Sequence, residues 1–175
     1  WSQPPQLPED DILWDIQEAG QALLGEHGYR QYETSAYAQP GRQARHNLNY
    51  WTFGDFLGIG AGAHAKLSHA DGRILRSWKT RLPKDYLDPA KAFRAGEKQL
   101  TADELPFEFL MNVLRLTDGV PAVLFTQRTG LALDAIAKPR RDAEARGLLS
   151  NDPDRLVATP KGQLFLNDLL QSFLP

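Results

Sequence analysis

The chain has no cysteine, a single methionine at Met111, and no apolar run approaching the roughly 20 residues needed to cross a bilayer. Each shortage removes a class of chemistry. Without thiols there is no disulfide, no thiolate zinc site, no iron–sulfur ligation and no cysteine nucleophile within these 175 residues. The opening WSQPPQLPEDD lacks the basic start and apolar centre of a signal peptide, so the expected compartment is the cytoplasm. With no start residue at its head, the sequence reads as a piece of a longer protein.

What is present suits a globular fold: 42% of residues are hydrophobic and 24% charged, enough for one good core or two small ones. The net charge of −2 is unevenly spread. Lys and Arg stand against Asp and Glu as 1 to 7 over residues 1–41, 11 to 5 over 42–98, and 8 to 10 over 99–175. The middle is therefore basic by 6, either as a solvated face balancing its neighbour or as a field for an anionic ligand.

Residues 9–26 place Ile12, Leu13, Ile16, Ala19, Leu23 and Leu24 at helical spacing, with acids in the first turn and Gly28 as a stop. Residues 29–38, aromatic and small-residue rich before Pro40-Gly41, read as one strand, so that helix and strand make the αβ half of a βαβ unit. The run DFLGIGAGAHA, residues 55–65, reads as a buried strand ending in a tight glycine turn. Its glycines at 58, 60 and 62 lack the dinucleotide-binding spacing. Residues 65–69 and 73–79 should pair as a hairpin across Asp71-Gly72, and Pro83 should open a helix that Pro89 interrupts. A boundary is expected near RAGEKQLTADEL, dividing the chain into 1–98 and 99–175.

Beyond it the spacing predicts a helix over 105–116, with Thr101 and Glu104 as a capping box, and a short helix over 121–128. A third, 131–149, should be ended or kinked by Pro139. Residues 148–159 alternate as a two-stranded wing, and Thr159-Pro160 launches a last helix with Leu164, Phe165, Leu169, Leu170 and Phe173 on one face. That succession is winged-helix order. In such a module Lys138, Arg140, Arg141 and Arg146 would lie on or near the helix that enters DNA. The region is nonetheless net acidic by 2, and no nucleic acid is expected.

Catalytic signals are lacking. The four histidines, His27, His46, His64 and His69, offer no helical ligand pair, and no nucleophile motif surrounds Ser35, Ser68 or Ser77. Asp10-Asp11 and Asp103-Glu104 are explained by helix first turns. The exception is residues 45–51, RHNLNYW. An imidazole such as His46 is an axial ligand for haem iron, the rings of Tyr50 and Trp51 could lie against a macrocycle, and Arg42 and Arg45 could meet its propionates. Equally, His46 and Asn47 could cap a helix whose Tyr50 and Trp51 fill the core.

Taken together, GYRQYETSAYAQPGRQARHNLNYW, DFLGIGAGAHA, SWKTRLPKDYL, EFLMNVLRLTDGV and RLVATPKGQLFLNDLL resemble, in this order, the C-terminal half of the oxygen-independent coproporphyrinogen III oxidase-like radical-SAM proteins, in particular their haem chaperone branch. The resemblance implies an α/β plus α architecture: the last elements of a partial radical-SAM barrel and a hairpin extension over 1–98, then a helical, winged-helix-like domain over 99–175. It implies a 4Fe-4S cluster and S-adenosylmethionine in an N-terminal half, neither held here. It implies haem bound through His46, with Asn47, Tyr50 and Trp51 matching the motif, and haem passed to acceptor haem proteins. His46 would be a metal residue for haem iron only, and His64 receives no role. A true coproporphyrinogen oxidase is the alternative parent. A barrel cut midway is also expected to self-associate through an open sheet edge.

Overall fold

Asp10 and Asp11 open the first helix, α1 (Asp10–Glu26), where their charges oppose the positive end of the helix dipole. The computed structural model describes residues 5–174 and separates into two compact units, one ending at Ala44 and one beginning at Arg45. In the first unit α1 stops as expected at Gly28, whose φ of 77° suits only glycine without strain. No residue of α1 is buried, and Ile12, Trp14, Ile16 and Leu23 leave its apolar face exposed.

The single strand expected over 29–38 is instead an antiparallel hairpin of β1 (Arg30–Glu33) and β2 (Ala36–Ala38), with Gln31 opposite Tyr37. The turn escaped the sequence reading because it contains no Gly, Pro, Asn or Asp. The Glu33 carboxylate does their work: it is buried, and its Oε1 accepts from the Ser35 amide at 3.2 Å and the Ser35 hydroxyl at 2.9 Å.

The second unit starts with helix α2 (Arg45–Trp51) and continues into a three-stranded antiparallel sheet in the order β3 (His64–Ser68), β4 (Ile74–Lys79) and β5 (Arg94–Gln99). The hairpin of β3 and β4 forms as its Asp71-Gly72 turn predicts, with Leu67 opposite Leu75. Residues 57–63 are not a buried strand. Phe56 bridges Lys66, after which Leu57 and Ile59 stand 72% and 85% exposed. Gly58 packs so closely on the His64 carbonyl that a Cβ would lie 2.3 Å from its oxygen. Strand β5 lies across the expected boundary and carries no alternating pattern. It forms through main-chain pairing with β4, and Gly96 opposite Trp78 lets the indole lie across it. Between β4 and β5, Pro83 opens the single-turn helix α3 (Pro83–Tyr86).

Helix α4 (Leu105–Val113) is preceded by Thr101, whose amide donates to the Glu104 carboxylate at 3.1 Å, one arm of the expected capping box. Then come β6 (Val120–Pro121), α5 (Val123–Thr129), a 3-10 helix (Leu133–Ile136) and α6 (Ala137–Ala145). Pro139 does not break α6. It falls in the first turn, where no intrahelical partner is required of its nitrogen. Strand β7 (Arg155–Leu156) pairs with β6, and Leu149 bridges Ala158. Thr159 caps α7 (Pro160–Leu164) by accepting from Gly162, as its sequence predicts. The expected continuous last helix is divided at Phe165 (φ −109°, ψ 45°), and α8 (Leu166–Gln171) follows. Leu169 and Phe173 are buried while Leu164 and Phe165 are exposed, because the division takes the latter two off the core face.

Phe109, Leu110, Val113, Leu114, Phe125, Ile136, Ala143, Leu156 and Leu169 form the centre of the core, and Phe53 and Ile74 join them from before α4. Edge-to-face contacts of Phe109 with Phe53 and Phe125 fix its middle. No helix among the described residues is long and apolar enough to cross a membrane.

Candidate functional site

Residues 45–51 form α2, so His46 and Tyr50 are four apart and share one helix face. Their rings meet at right angles, with centroids 4.5 Å apart and planes at 80°. His46 and Arg45 are exposed, and Asn47 and Tyr50 half-buried. His46 and Asn47 therefore sit inside the helix and do not cap it. Leu48 and Trp51 turn toward the core, where Trp51 carries the Arg115 guanidinium 4.4 Å above its ring. The buried Trp51 Nε1 has no hydrogen-bond partner among the described residues. Structure thus brings His46 and Tyr50 together and puts Trp51 on the core side of α2. Arg42 lies in the first compact unit and Arg45 in the second.

The return of the chain behind α2 positions a third ring. Asn49 Nδ2 donates to the Asp55 carbonyl at 2.8 Å, and the Gly54 amide donates to the Asn49 carbonyl at 2.7 Å. Any Cβ on Gly54 would strike Asn49 Oδ1 at 2.2 Å. Phe53 takes a left-handed φ of 57°, a strain of about 1–3 kcal/mol for a bulky residue, offset by burying its ring completely. Phe56 is thereby delivered to Tyr50, edge-to-face at 4.4 Å and 84°.

Beneath this loop lies a buried charge. Lys66 is 1% exposed; its ammonium is 2.8 Å from Asp55 Oδ1 and 4.2 Å from the Phe53 ring centroid. Burial pulls the Lys66 pKa below the usual lysine range, against the pull of Asp55. For Asp55, burial raises the pKa, but bonds from Lys66 and from the Ser68 amide and hydroxyl outweigh it and leave the carboxyl below its usual range. Phe53, Phe56, Asp55, Lys66 and Arg115 were not singled out from the sequence. Arg115 stands 64 residues from Trp51, and no local pattern links the two.

No group of three or more His, Cys, Asp or Glu among the described residues could hold a metal ion.

Residues 100–165 match the HemN C-terminal domain family. Over 99% of its length the chain is 50% identical to the haem chaperone HemW of Escherichia coli (strain K12), covering 45% of that protein. It is 47% identical to the haem chaperone HemW of Haemophilus influenzae (strain ATCC 51907 / DSM 11121 / KW20 / Rd), over 98% of this chain and 44% of the relative. Among solved structures it superposes on coproporphyrinogen III oxidase (HemN) from Escherichia coli, described as a radical SAM enzyme. The TM-score is 0.68 at 18% identity, over 95% of this chain and 42% of that one. The chain spans somewhat under half the length of these proteins, and the likeness to the solved structure shows a shared α/β fold. Half of its residues are identical to a HemW protein along nearly its whole length, and residues 100–165 match the HemN C-terminal domain, so the chain is similar throughout to the C-terminal part of HemW proteins.

Proposed function

We propose that the chain is the C-terminal part of a radical-SAM haem chaperone and that α2 handles the haem. The observation that carries this reading is the exposed His46 imidazole, backed edge-to-face by Tyr50 on a helix anchored to the core. An imidazole so presented can take an iron from the solvent side while the neighbouring ring supports the macrocycle. Haem is the cargo, as the relatives' name indicates. Asn47 and Tyr50 complete the face around His46, Trp51 with Arg115 over its ring holds α2 from the core side, and Arg45, on the same helix, meets a propionate. Acceptor haem proteins in the cytoplasm receive the cargo. The 4Fe-4S cluster and S-adenosylmethionine belong to residues outside this chain, which has no thiol to hold a cluster. The parallel reading as a coproporphyrinogen oxidase rests on the HemN C-terminal domain match over 100–165 and on likeness of fold.

The test is His46→Ala in the full-length protein. The haem Soret band should be lost or shifted while the far-ultraviolet circular dichroism is unchanged. An unaltered haem spectrum and affinity would reduce the motif to a packing helix.

Three finer points belong to the same reading. Residues 1–98 are the barrel part with its hairpin extension, and 99–175 a winged-helix-like domain, supported by the pairing of β7 with β6 and the bridge of Leu149 to Ala158. That domain packs and does not bind nucleic acid: Arg140, on α6, is buried and engaged with Glu144 and the Asp152 carbonyl. Salt-dependent micromolar binding to duplex DNA would overturn this. Self-association through the outer edges of the two-stranded β1–β2 sheet is checked by light scattering, where a strict monomer at high concentration counts against it.

A further inference from the structure

The glycine-rich turn over residues 57–63 folds against the end of the β3–β4 hairpin and borders an open cavity of about 400 Å³, lined by Ala61, Gly62, His64, Trp78, Lys79 and Arg81. No residue of α2 lines it. The walls are tied in place by main-chain bonds: the Gly62 amide donates to the Thr80 carbonyl and the Lys79 amide to the Ala63 carbonyl, both at 2.9 Å, and the Gly60 amide donates to the Tyr86 hydroxyl at 3.2 Å. Trp78 is held over Gly96 with 37% of its surface exposed, so its indole is fixed and still accessible.

The chemistry of this cavity is one-sided. No carboxylate lines it, and among the described residues none of His64, Lys79 and Arg81 has an ion-pair or side-chain hydrogen-bond partner. Charges nearby are matched: Lys66 by Asp55, Arg73 by Asp71, Arg76 by Glu108, Lys91 by Asp85, Arg94 by Glu97 and Lys98 by Glu104. Of the nine Lys and Arg residues between 66 and 98, only Lys79, Arg81 and Lys84 are left over, and two of these three line the cavity. Part of the basic excess of the middle of the sequence therefore lies at this cavity. Lys79 and Arg81 are two residues apart, and their mutual repulsion is relieved when an anion sits between them.

We propose that this cavity is a second binding site, for an anion carrying two or more carboxylate or phosphate groups. Lys79 and Arg81 neutralise the charge, Arg81 by a forked pair of hydrogen bonds. His64 donates a further hydrogen bond, and the Trp78 indole covers an apolar or planar part of the ligand. The site is independent of the haem reading.

The test is a titration of the full chain, labelled with nitrogen-15, by pyrophosphate and separately by tricarballylate at constant ionic strength. Saturable shifts are expected at the Ala61 and Gly62 amides and the Trp78 indole N–H. Saturation by pyrophosphate alone assigns a phosphate ligand, by tricarballylate alone a carboxylate one, and either supports the site. Lys79→Gln and Arg81→Gln should each weaken binding about tenfold, the loss of one charge-assisted hydrogen bond. Lys84→Gln, an unmatched cation outside the cavity, and His46→Ala should leave the affinity unchanged. Failure of both probes to saturate, or an equal loss in Lys84→Gln, would show only a diffuse basic surface and overturn the proposal. Dispersion of the amide spectrum in each variant establishes that it is folded.

Discussion

Tyr50 is the middle ring of three: His46 meets it at 4.5 Å and Phe56 at 4.4 Å, both edge-to-face. The exposed imidazole is thus coupled through Tyr50 to the loop behind α2. Tyr50→Phe keeps both contacts and should change stability by no more than about 0.5 kcal/mol. Tyr50→Ala removes both and should cost about 1–3 kcal/mol in urea unfolding, as expected for truncating a half-buried aromatic. Equal stability of the two variants would show that the rings touch without holding anything.

The Asp55–Lys66 pair makes stability rise with pH. The folded pKa of Asp55 lies below its unfolded value, so its contribution is complete above the ordinary carboxylate range and is lost as pH falls through the folded value. The folded pKa of Lys66 is also depressed, chiefly by burial, so the fold gains stability as pH climbs from that value toward the unfolded one. Asp55→Asn leaves the ammonium buried with the Ser68 hydroxyl, 3.3 Å away. We expect a loss of about 2–3 kcal/mol at neutral pH, below the usual ~3–5 for a broken buried pair because Lys66 can shed its proton. The variant should also have a flatter acid limb and partial recovery at alkaline pH. Unfolding curves displaced by a constant amount from pH 3 to 10 would refute the coupling.

Two glycines in helices should respond oppositely to alanine. Helix propensity favours Ala over Gly by about 1 kcal/mol at an interior position. Gly20, in α1, has nothing within 4 Å of a built Cβ, so Gly20→Ala should raise or preserve stability. At Gly162, in α7, the Cβ would lie 1.8 Å from the Leu148 carbonyl oxygen, so overlap outweighs propensity and Gly162→Ala should cost about 3 kcal/mol or more. Thermal melts showing the same sign for both would contradict the close approach of α7 to Leu148.

Elements with local signals were legible without coordinates. Thr159 caps α7, Asp71-Gly72 turns the β3–β4 hairpin, and α1 and α4 follow their apolar spacing, because caps, turns and helical periodicity are settled among residues one to four apart. The RHNLNYW motif stood out for the same reason, and the meeting of His46 with Tyr50 follows once the segment is helical.

What tertiary structure decided was which residues lose water and which backbones pair. Strand β5 has a charged sequence and exists through its pairing with β4; the Glu33 carboxylate folds one expected strand into two. Lys66 reads in the sequence as an ordinary strand lysine, and only the fold buries it under Phe53 beside Asp55. Likewise Arg115 reaches Trp51 across 64 residues, and Lys79 and Arg81 share a cavity lined by no carboxylate. Local propensity acts through steric limits on neighbouring dihedrals and is written in the sequence. Burial and charge pairing are sums over distant partners, and those are known only when the chain has closed on itself.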